Sequence, residues 1–212
     1  MKNLIIISAR AYGREVYNIA IQTKEYNVDW TVKGFLDNDD SVLSNYLETY
    51  PPIIGSIDDY IIQPNDVFIC ALGSADTKKY YIQKILDKGG KFINIIHPSA
   101  VINTINVKIG HGVIICPLTY ISNDTTIGNH VTIQSHAAIG HDVIIGDYCQ
   151  INALSFIGGF AQIGNETMIN PGANIAPKKR VGSNVLVGIN SSVLNTIHDH
   201  WSVYGNPAKR IL

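Results

Sequence analysis

A six-residue repeat runs through the second half of the chain and restricts the folds open to it. From Ile109 to Val193 every sixth residue is Ile or Val, at fifteen positions without a gap. The residue after this position is Gly in eight hexads, and the fifth residue is mostly small or β-branched. A fixed internal period is typical of solenoids, in which each repeat packs against its neighbours. The repeat therefore predicts an all-β, parallel β-helix.

Three hexapeptides per turn give this helix three flat sides. Each hexapeptide then forms one short strand and one corner, and residues eighteen apart in sequence lie above one another. Fifteen hexads correspond to five coils of such a prism. We expect the first and fifth residues of each hexad to face the interior. We also expect the second-position glycines to supply backbone torsions that cost other residues more.

The first hundred residues follow a different pattern, in which strands and helices alternate. Strands are predicted at residues 4–7, 31–36, 66–72 and 91–95, and helices at 12–24 and 76–88. This order is typical of an α/β domain with a small parallel, Rossmann-like sheet. We place this domain at residues 1–98 and the β-helix at 99–212. Ligands of such sheets bind beyond the carboxyl ends of the strands. Residues 8–13 follow the first strand, and they hold only one of the three glycines that a dinucleotide site needs. A smaller nucleotide-bearing ligand is therefore expected.

Composition excludes several classes of partner. The chain has a net charge of −1 and 16% charged residues, and the only local basic run is Lys178–Arg180. A nucleic-acid-binding surface needs a larger clustered excess of Lys and Arg. No apolar run reaches the length of a membrane span, so membrane insertion is not expected. Three cysteines and no disulfide framework suit a reducing compartment, which predicts a cytoplasmic protein.

Three segments carry a resemblance to a known family. They are NIIHPSA at residues 94–100, IGHDVIIGDY at 139–148 and YGNPAKR at 204–210. With the two-domain layout, they resemble the hexapeptide-repeat sugar O-/N-acetyltransferases, which include UDP-N-acetylbacillosamine N-acetyltransferase and sialic acid O-acetyltransferase-like proteins. The resemblance implies a left-handed coil and a homotrimer. It also implies acetyl-CoA as co-substrate without a metal, and transfer to the amino group of a nucleotide-linked amino sugar in glycan precursor synthesis.

The same resemblance assigns roles to individual residues. His141 matches the catalytic base and Asp142 the carboxylate beside it, while Gln150 and Gly159 match contacts to acetyl-CoA. Residues that match the substrate-binding positions of the first domain are Arg10, Ala11, Tyr12, Asp37, Asn38 and Gly73. Two positions depart from the family pattern, because Tyr12 and Gln150 stand where the family has histidines. Glutamine donates a hydrogen bond but carries no proton in catalysis.

Spacing gives His141 support that is independent of the family. Eighteen residues before it lies Asn123, and eighteen after it lies Gly159. We expect the missing side chain of Gly159 to leave space above the histidine for a pantetheine arm along the prism wall. A histidine that titrates near neutrality suits the removal of a proton from an attacking amine or hydroxyl.

Other functions stay open at this stage. A sugar hydroxyl could replace the amino group as the acceptor, because the same base serves both. A metal enzyme like the γ-class carbonic anhydrases is less favoured: His136 lies near His141, but no third histidine falls at the expected separation. A non-catalytic trimeric scaffold is the general alternative for a solenoid. We interpret Cys149, at the fifth hexad position, as a small core residue, and His111 and His130 as surface residues.

Overall fold

The computed structural model describes residues 1–46 and 48–211, and its contacts divide the chain into two compact units, Met1–Pro98 and Ser99–Leu212. The first unit contains a three-stranded parallel sheet in the order β2-β1-β3. Its strands and helices are β1 (Lys2–Ile7), α1 (Ala11–Ala20), β2 (Trp30–Leu36), a 3₁₀ turn (Asp40–Leu43), β3 (Asp66–Cys70), α2 (Ala75–Asp87) and the two-residue β4 (Ile95–Ile96). Ile7 pairs with both Leu36 and Cys70, so the three strands end at one edge.

The predicted α/β layout of this unit is confirmed, with two local differences. The helix predicted at 12–24 ends at Ala20, where the Thr23 hydroxyl donates a hydrogen bond to the Ala20 carbonyl. Such a bond satisfies a carbonyl that the helix leaves unpaired at its end. The strand predicted at 91–95 is wrong as a full strand. Phe92 makes an isolated bridge to Phe68, and the next strand, β4, begins only at Ile95.

The core of the first unit lies between the sheet and the helices. Leu4 to Ile7 of β1 are fully buried, as expected for the central strand of a parallel sheet that is covered on both faces. From α1, the residues Val16, Ile19 and Ala20 are buried, which confirms the apolar face predicted from their spacing. Ile82 and Ile85 of α2 are likewise buried.

The second unit is a prism with a parallel sheet on each of three faces. The first face contains Ile114–Ile115, Thr132–Ile133, Gln150–Ile151, Met168–Ile169, Leu186–Val187, Ser202–Tyr204 and Lys209–Arg210. The second contains Val101–Ile102, Tyr120–Ile121, Ala138–Ile139, Phe156–Ile157, Asn174–Ile175 and Ser192–Val193. The third contains Lys108–Ile109, Thr126–Ile127, Ile144–Ile145, Gln162–Ile163 and Arg180–Val181. Ile133 pairs with Ile115 and Ile151, which confirms the eighteen-residue coil. The left-handed sense of the coil stays a prediction.

The solenoid is longer than the five predicted coils. Its second face begins at Val101–Ile102, which pairs with Tyr120–Ile121 at an offset of nineteen residues instead of eighteen. One extra residue before Ile109 therefore shifts the hexad phase and hides this strand from the repeat. At the other end the coil shortens, because Val187 pairs with Val203, sixteen residues later.

The interior of the prism matches the prediction, but the reason given for the glycines is wrong. All fifteen aliphatic positions except Ile109 are at most 2% exposed. Left-handed φ angles occur at the fourth position of the hexad, from Gly112 to Asn190, and not at the second-position glycines. Those glycines are needed for close packing instead. A Cβ at Gly140, for example, would lie 2.7 Å from the Gly159 nitrogen in the next coil.

Across the described residues, 1–46 and 48–211, no helix is both long and apolar enough to cross a membrane.

Candidate active site

His141 and Asp142 form a hydrogen-bonded pair on one corner of the prism. They follow the strand Ala138–Ile139 at the third and fourth positions of their hexad. The backbone of Asp142 is left-handed, with φ of 58°, which turns the chain at the corner. The Nδ1 atom of His141 lies 2.8 Å from Oδ2 of Asp142. The side chains are 57% and 40% exposed, so the pair is open to solvent on one side.

The imidazole of His141 lies across the next coil. The amide of Phe160 donates a hydrogen bond of 2.9 Å to the His141 carbonyl, which fixes the two corners in register. A Cβ on Gly159 would lie only 2.7 Å from Nε2 of His141. Gly159 therefore lies beside His141, as the spacing predicts. The space left by its missing side chain holds the imidazole, so the predicted channel for pantetheine at this position is wrong. The Phe160 ring meets the imidazole edge to face, with centroids 5.0 Å apart.

This arrangement gives the histidine the chemistry of a general base. A carboxylate only accepts hydrogen bonds, so Asp142 selects the tautomer with the proton on Nδ1. The Nε2 atom then carries the lone pair that receives a proton. An imidazolium formed in this way is stabilised by the adjacent negative charge, as in other His–carboxylate pairs.

The other residues predicted to contact acetyl-CoA have different surroundings. Gly159 is buried beneath the His141 ring. Gln150 lies on the first face of the prism, is 4% exposed, and its Nε2 donates to Oδ1 of Asn152. The chain therefore does not bring Gln150 to the His141 corner. Cys149 is fully buried, as predicted for a core residue, and Cys116 is fully buried as well.

A second candidate site is a cleft of about 260 Å³ at the carboxyl edge of the first-unit sheet. Its lining residues are Ser8, Arg10, Asp37, Asn38, Asp39, Ile57, Leu72, Thr77 and Tyr81. Three predicted substrate-binding residues, Arg10, Asp37 and Asn38, are thus brought together. Of the others, Ala11 and Tyr12 begin helix α1, and Gly73 lies exposed beside Leu72. Sequence reasoning missed Thr77 and Tyr81, which α2 supplies.

Asp37 organises the loop at this cleft. Its Oδ2 accepts hydrogen bonds from the Ala9 amide (2.9 Å) and the Ser8 hydroxyl (3.3 Å), and its Oδ1 accepts from the Asp39 amide. These bonds hold Ser8 in a left-handed conformation with φ of 81°. A Cβ on Gly13 would clash with the Ser8 carbonyl oxygen, which explains why this loop keeps one glycine.

Asn38 connects the loop to the far side of the cleft. Its Oδ1 accepts from the Ile57 amide at 3.0 Å, and its Nδ2 donates to Oδ2 of Asp58 at 2.9 Å. A hydrogen bond from Lys84 holds the pKa of Asp58 below its ordinary value. Asn38 thus has structural hydrogen bonds on both ends of its amide.

The charge at the cleft is concentrated at its rim. Arg10 lies 3.7 Å from Asp39 in an exposed ion pair. Hydrogen bonds from the Ser41 hydroxyl and amide lower the pKa of Asp39, and the Arg10 charge adds to this effect. Arg10 also precedes the first turn of α1, which contains no acidic residue. Guanidinium and helix N-terminus together favour an anionic group at this rim.

Metal ligands are not grouped in the part of the chain that the structure describes: no three His, Cys, Asp or Glu side chains lie together as a potential metal site there.

Comparison with known families agrees with this division of the chain. Residues 3–85 match the family described as "PglD N-terminal domain". Residues 106–141 and 124–159 match "Bacterial transferase hexapeptide (six repeats)". Both domains that the sequence resemblance implies are thus confirmed. No curated protein sequence matches the chain significantly.

Solved structures share the fold over the whole length. A His-to-Asn variant of perosamine N-acetyltransferase from Caulobacter crescentus, in complex with CoA and GDP-perosamine, has a TM-score of 0.89 at 24% identity, covering 100% of this chain and 98% of that one. The acetyltransferase domain of PglB from Neisseria gonorrhoeae has a TM-score of 0.87 at 23% identity, covering both chains completely. WeeI from Acinetobacter baumannii has a TM-score of 0.74 at 22% identity, with both chains covered completely. At these identities, the likeness establishes the fold.

Proposed function

We propose that this chain transfers the acetyl group of acetyl-CoA to the amino group of a nucleotide-linked amino sugar. The observation that carries the proposal is the His141–Asp142 pair, whose Nδ1–Oδ2 bond of 2.8 Å leaves Nε2 as a proton acceptor at an open corner. The fold supports it, because the perosamine N-acetyltransferase structure of the same fold holds CoA and GDP-perosamine. The PglB acetyltransferase domain, which also has this fold, is in complex with acetyl coenzyme A.

In the proposed reaction the acceptor nitrogen attacks the thioester carbonyl carbon while its proton passes to Nε2 of His141. The new carbon–nitrogen bond forms, the carbon–sulfur bond breaks, and the imidazolium returns its proton to the departing CoA thiolate. The products are an amide and the free thiol of CoA. Asp142 stabilises the imidazolium through Nδ1. General base catalysis of this kind contributes about 10²- to 10⁴-fold to the rate.

In this proposal the first unit binds the nucleotide part of the acceptor. The cleft at the carboxyl edge of its sheet supports this assignment, because open α/β sheets bind ligands there. Arg10 and the N-terminus of α1 suit the diphosphate. Asp37 acts by shaping the loop and not by ligand contact alone, since the loop itself uses both of its oxygens. Ala11, Tyr12, Asn38 and Gly73 complete the set of proposed substrate-binding residues.

We propose a homotrimer that works in the cytoplasm and supplies precursors for surface glycans. Large apolar side chains are exposed along one corner and the adjoining second face of the prism. They are Leu118, Leu154, Ile189, Tyr120 and Phe156. Exposed large apolar side chains that share one side of a solenoid favour a subunit contact there. The proposed CoA contacts of Gln150 and Gly159 rest on the family resemblance alone, since both residues are buried in the single chain. Sedimentation velocity of the purified chain tests the assembly, and a monomeric species would refute it.

A thiol-release assay with acetyl-CoA and a panel of UDP-, dTDP- and GDP-linked amino sugars tests the activity. Adding the corresponding nucleotide sugars that carry a hydroxyl in place of the amino group distinguishes N- from O-acetylation, because the same base would serve either acceptor. We expect His141→Ala to lower kcat by at least ~100-fold. His111→Ala, at another exposed corner position, is the matched control and keeps wild-type activity. Near-normal turnover of His141→Ala would remove this histidine from the mechanism.

A further inference from the structure

Phe160 occupies a position that its own residue type disfavours. Its φ is 62°, and all fourteen fourth hexad positions from Gly112 to Asn190 are left-handed, with φ between 53° and 70°. This left-handed conformation is costly for a bulky side chain, and ten of the fourteen positions hold Gly or a polar or charged residue. Phe160 is 49% exposed, so burial in the core does not offset that cost.

The contact that Phe160 makes is with the proposed base. Its ring stands at 90° to the imidazole of His141, with centroids 5.0 Å apart, in the edge-to-face geometry that aromatic pairs prefer. The backbone holds the two residues in register, since the Phe160 amide donates to the His141 carbonyl at 2.9 Å.

Three neighbours together determine where the imidazole lies. Asp142 holds Nδ1, the wall at Gly159 supports the Nε2 side, and Phe160 stands across the ring. Without Phe160, a side chain that is 57% exposed is left with one hydrogen bond and one wall, and neither prevents the ring from swinging outward.

We infer that Phe160 is a positioning residue that holds the His141 imidazole in its reactive orientation. The inference rests on the proposed function, since it assigns Phe160 to the orientation of the base. It acts on kcat through His141 and not through the binding of either substrate. Productive geometry at a reacting centre strongly affects rate, so loss of one of three restraints is costly.

The test compares Phe160→Gly, Phe160→Tyr and the matched control Glu166→Gly. Glu166 has the same left-handed conformation, with φ of 59°, on a different corner. We expect Phe160→Gly to lower kcat by about tenfold, the size of a lost aromatic contact, with both KM values within about twofold. Phe160→Tyr keeps an aromatic ring at this position, so we expect it to retain the kcat of the wild type. Glu166→Gly relieves the same backbone strain and leaves kcat unchanged. Neither glycine variant is expected to melt below wild type.

A second readout is independent of catalysis. In the unliganded protein, the Phe160 ring current shifts the His141 Cε1–H resonance, and we expect this shift to disappear in Phe160→Gly and persist in Phe160→Tyr. A raised KM for acetyl-CoA with unchanged kcat in Phe160→Gly would overturn the inference, because it would make Phe160 a binding residue. An unmoved His141 resonance would overturn it as well. If the wild type transferred no acetyl group, the proposed function would fail, and the resonance alone would decide whether Phe160 positions the ring.

Discussion

Replacing Gly159 by alanine puts a methyl group where the His141 ring lies. The added Cβ would be 2.7 Å from Nε2 and 2.8 Å from Cε1, whereas ordinary contacts begin at 3.4 Å. The ring must therefore move by at least about 0.7 Å, the difference between 2.7 and 3.4 Å. Asp142 holds Nδ1 on the other side of the imidazole, so the ring tilts away from this bond or leaves the wall.

The expected result is a loss of rate with little loss of stability. A misplacement of about 1 Å at a reacting centre can cost on the order of 10²-fold, so we expect kcat to fall by about 30- to 100-fold. The free energy of unfolding should change by no more than about 1.5 kcal/mol, the upper value of an aromatic contact, because the ring can swing into solvent. Thiol release and urea unfolding measure the two quantities.

A double-mutant cycle with His141→Ala separates ring displacement from other effects. If Gly159→Ala acts only by moving the imidazole, it causes no further loss of activity once His141 is removed. Wild-type kcat in the single variant would refute the reasoning, because the ring would then not need the surface of Gly159. An additive loss in the double variant would also refute it.

Two further predictions concern the first unit. Asp37→Ala leaves the buried Ala9 amide without its acceptor, so we expect a stability loss of about 1–3 kcal/mol and a raised KM for the nucleotide sugar. The KM for acetyl-CoA should not change, and the exposed Asp87→Ala is the control. Burial raises the pKa of Asp66, but hydrogen bonds from Gln63, Tyr60, Lys33 and Asn3 outweigh it and hold that pKa below 3.8. The stabilisation by the Asp66 carboxylate is complete above pH 3.8 and is lost as the pH falls through the lowered pKa. The difference in the free energy of unfolding between wild type and Asp66→Asn should therefore shrink below pH 3.8, as measured by unfolding at a series of acid pH values.

The prism could be predicted because every coil of a solenoid needs the same type of residue at the same interior position. Each coil needs a branched aliphatic at the same place, and this produced an unbroken column up to Val193. The same regularity located Gly159 beside His141. The prediction failed where the period slips: the strand Val101–Ile102 lies nineteen residues from its partner. An inserted residue changes the phase without changing the packing, and a fixed period does not detect it.

The candidate sites were predictable in proportion to how local their contacts are. Asp142 is adjacent to His141 in sequence, and their pairing follows from the corner geometry. Tyr81 reaches the cleft from α2, far from the β1 and β2 loops in sequence, and no motif marks it. The surface prediction for His130 is wrong, because its ring stacks on Tyr148 and only 7% of the residue is exposed. Such contacts depend on which side chains stand one coil away.

The left-handed turn that recurs at every fourth hexad position gives all corners of the prism the same backbone conformation. Each corner presents its third and fourth side chains on the same backbone. The fold therefore does not determine which coil holds the reactive pair, and the sequence of that coil does. Asn123 and Asp124 occupy the equivalent corner one coil before His141 and Asp142. The shared backbone turn therefore provides the geometry at every corner, and the residues one coil away, here Gly159 and Phe160, make one corner different from the rest.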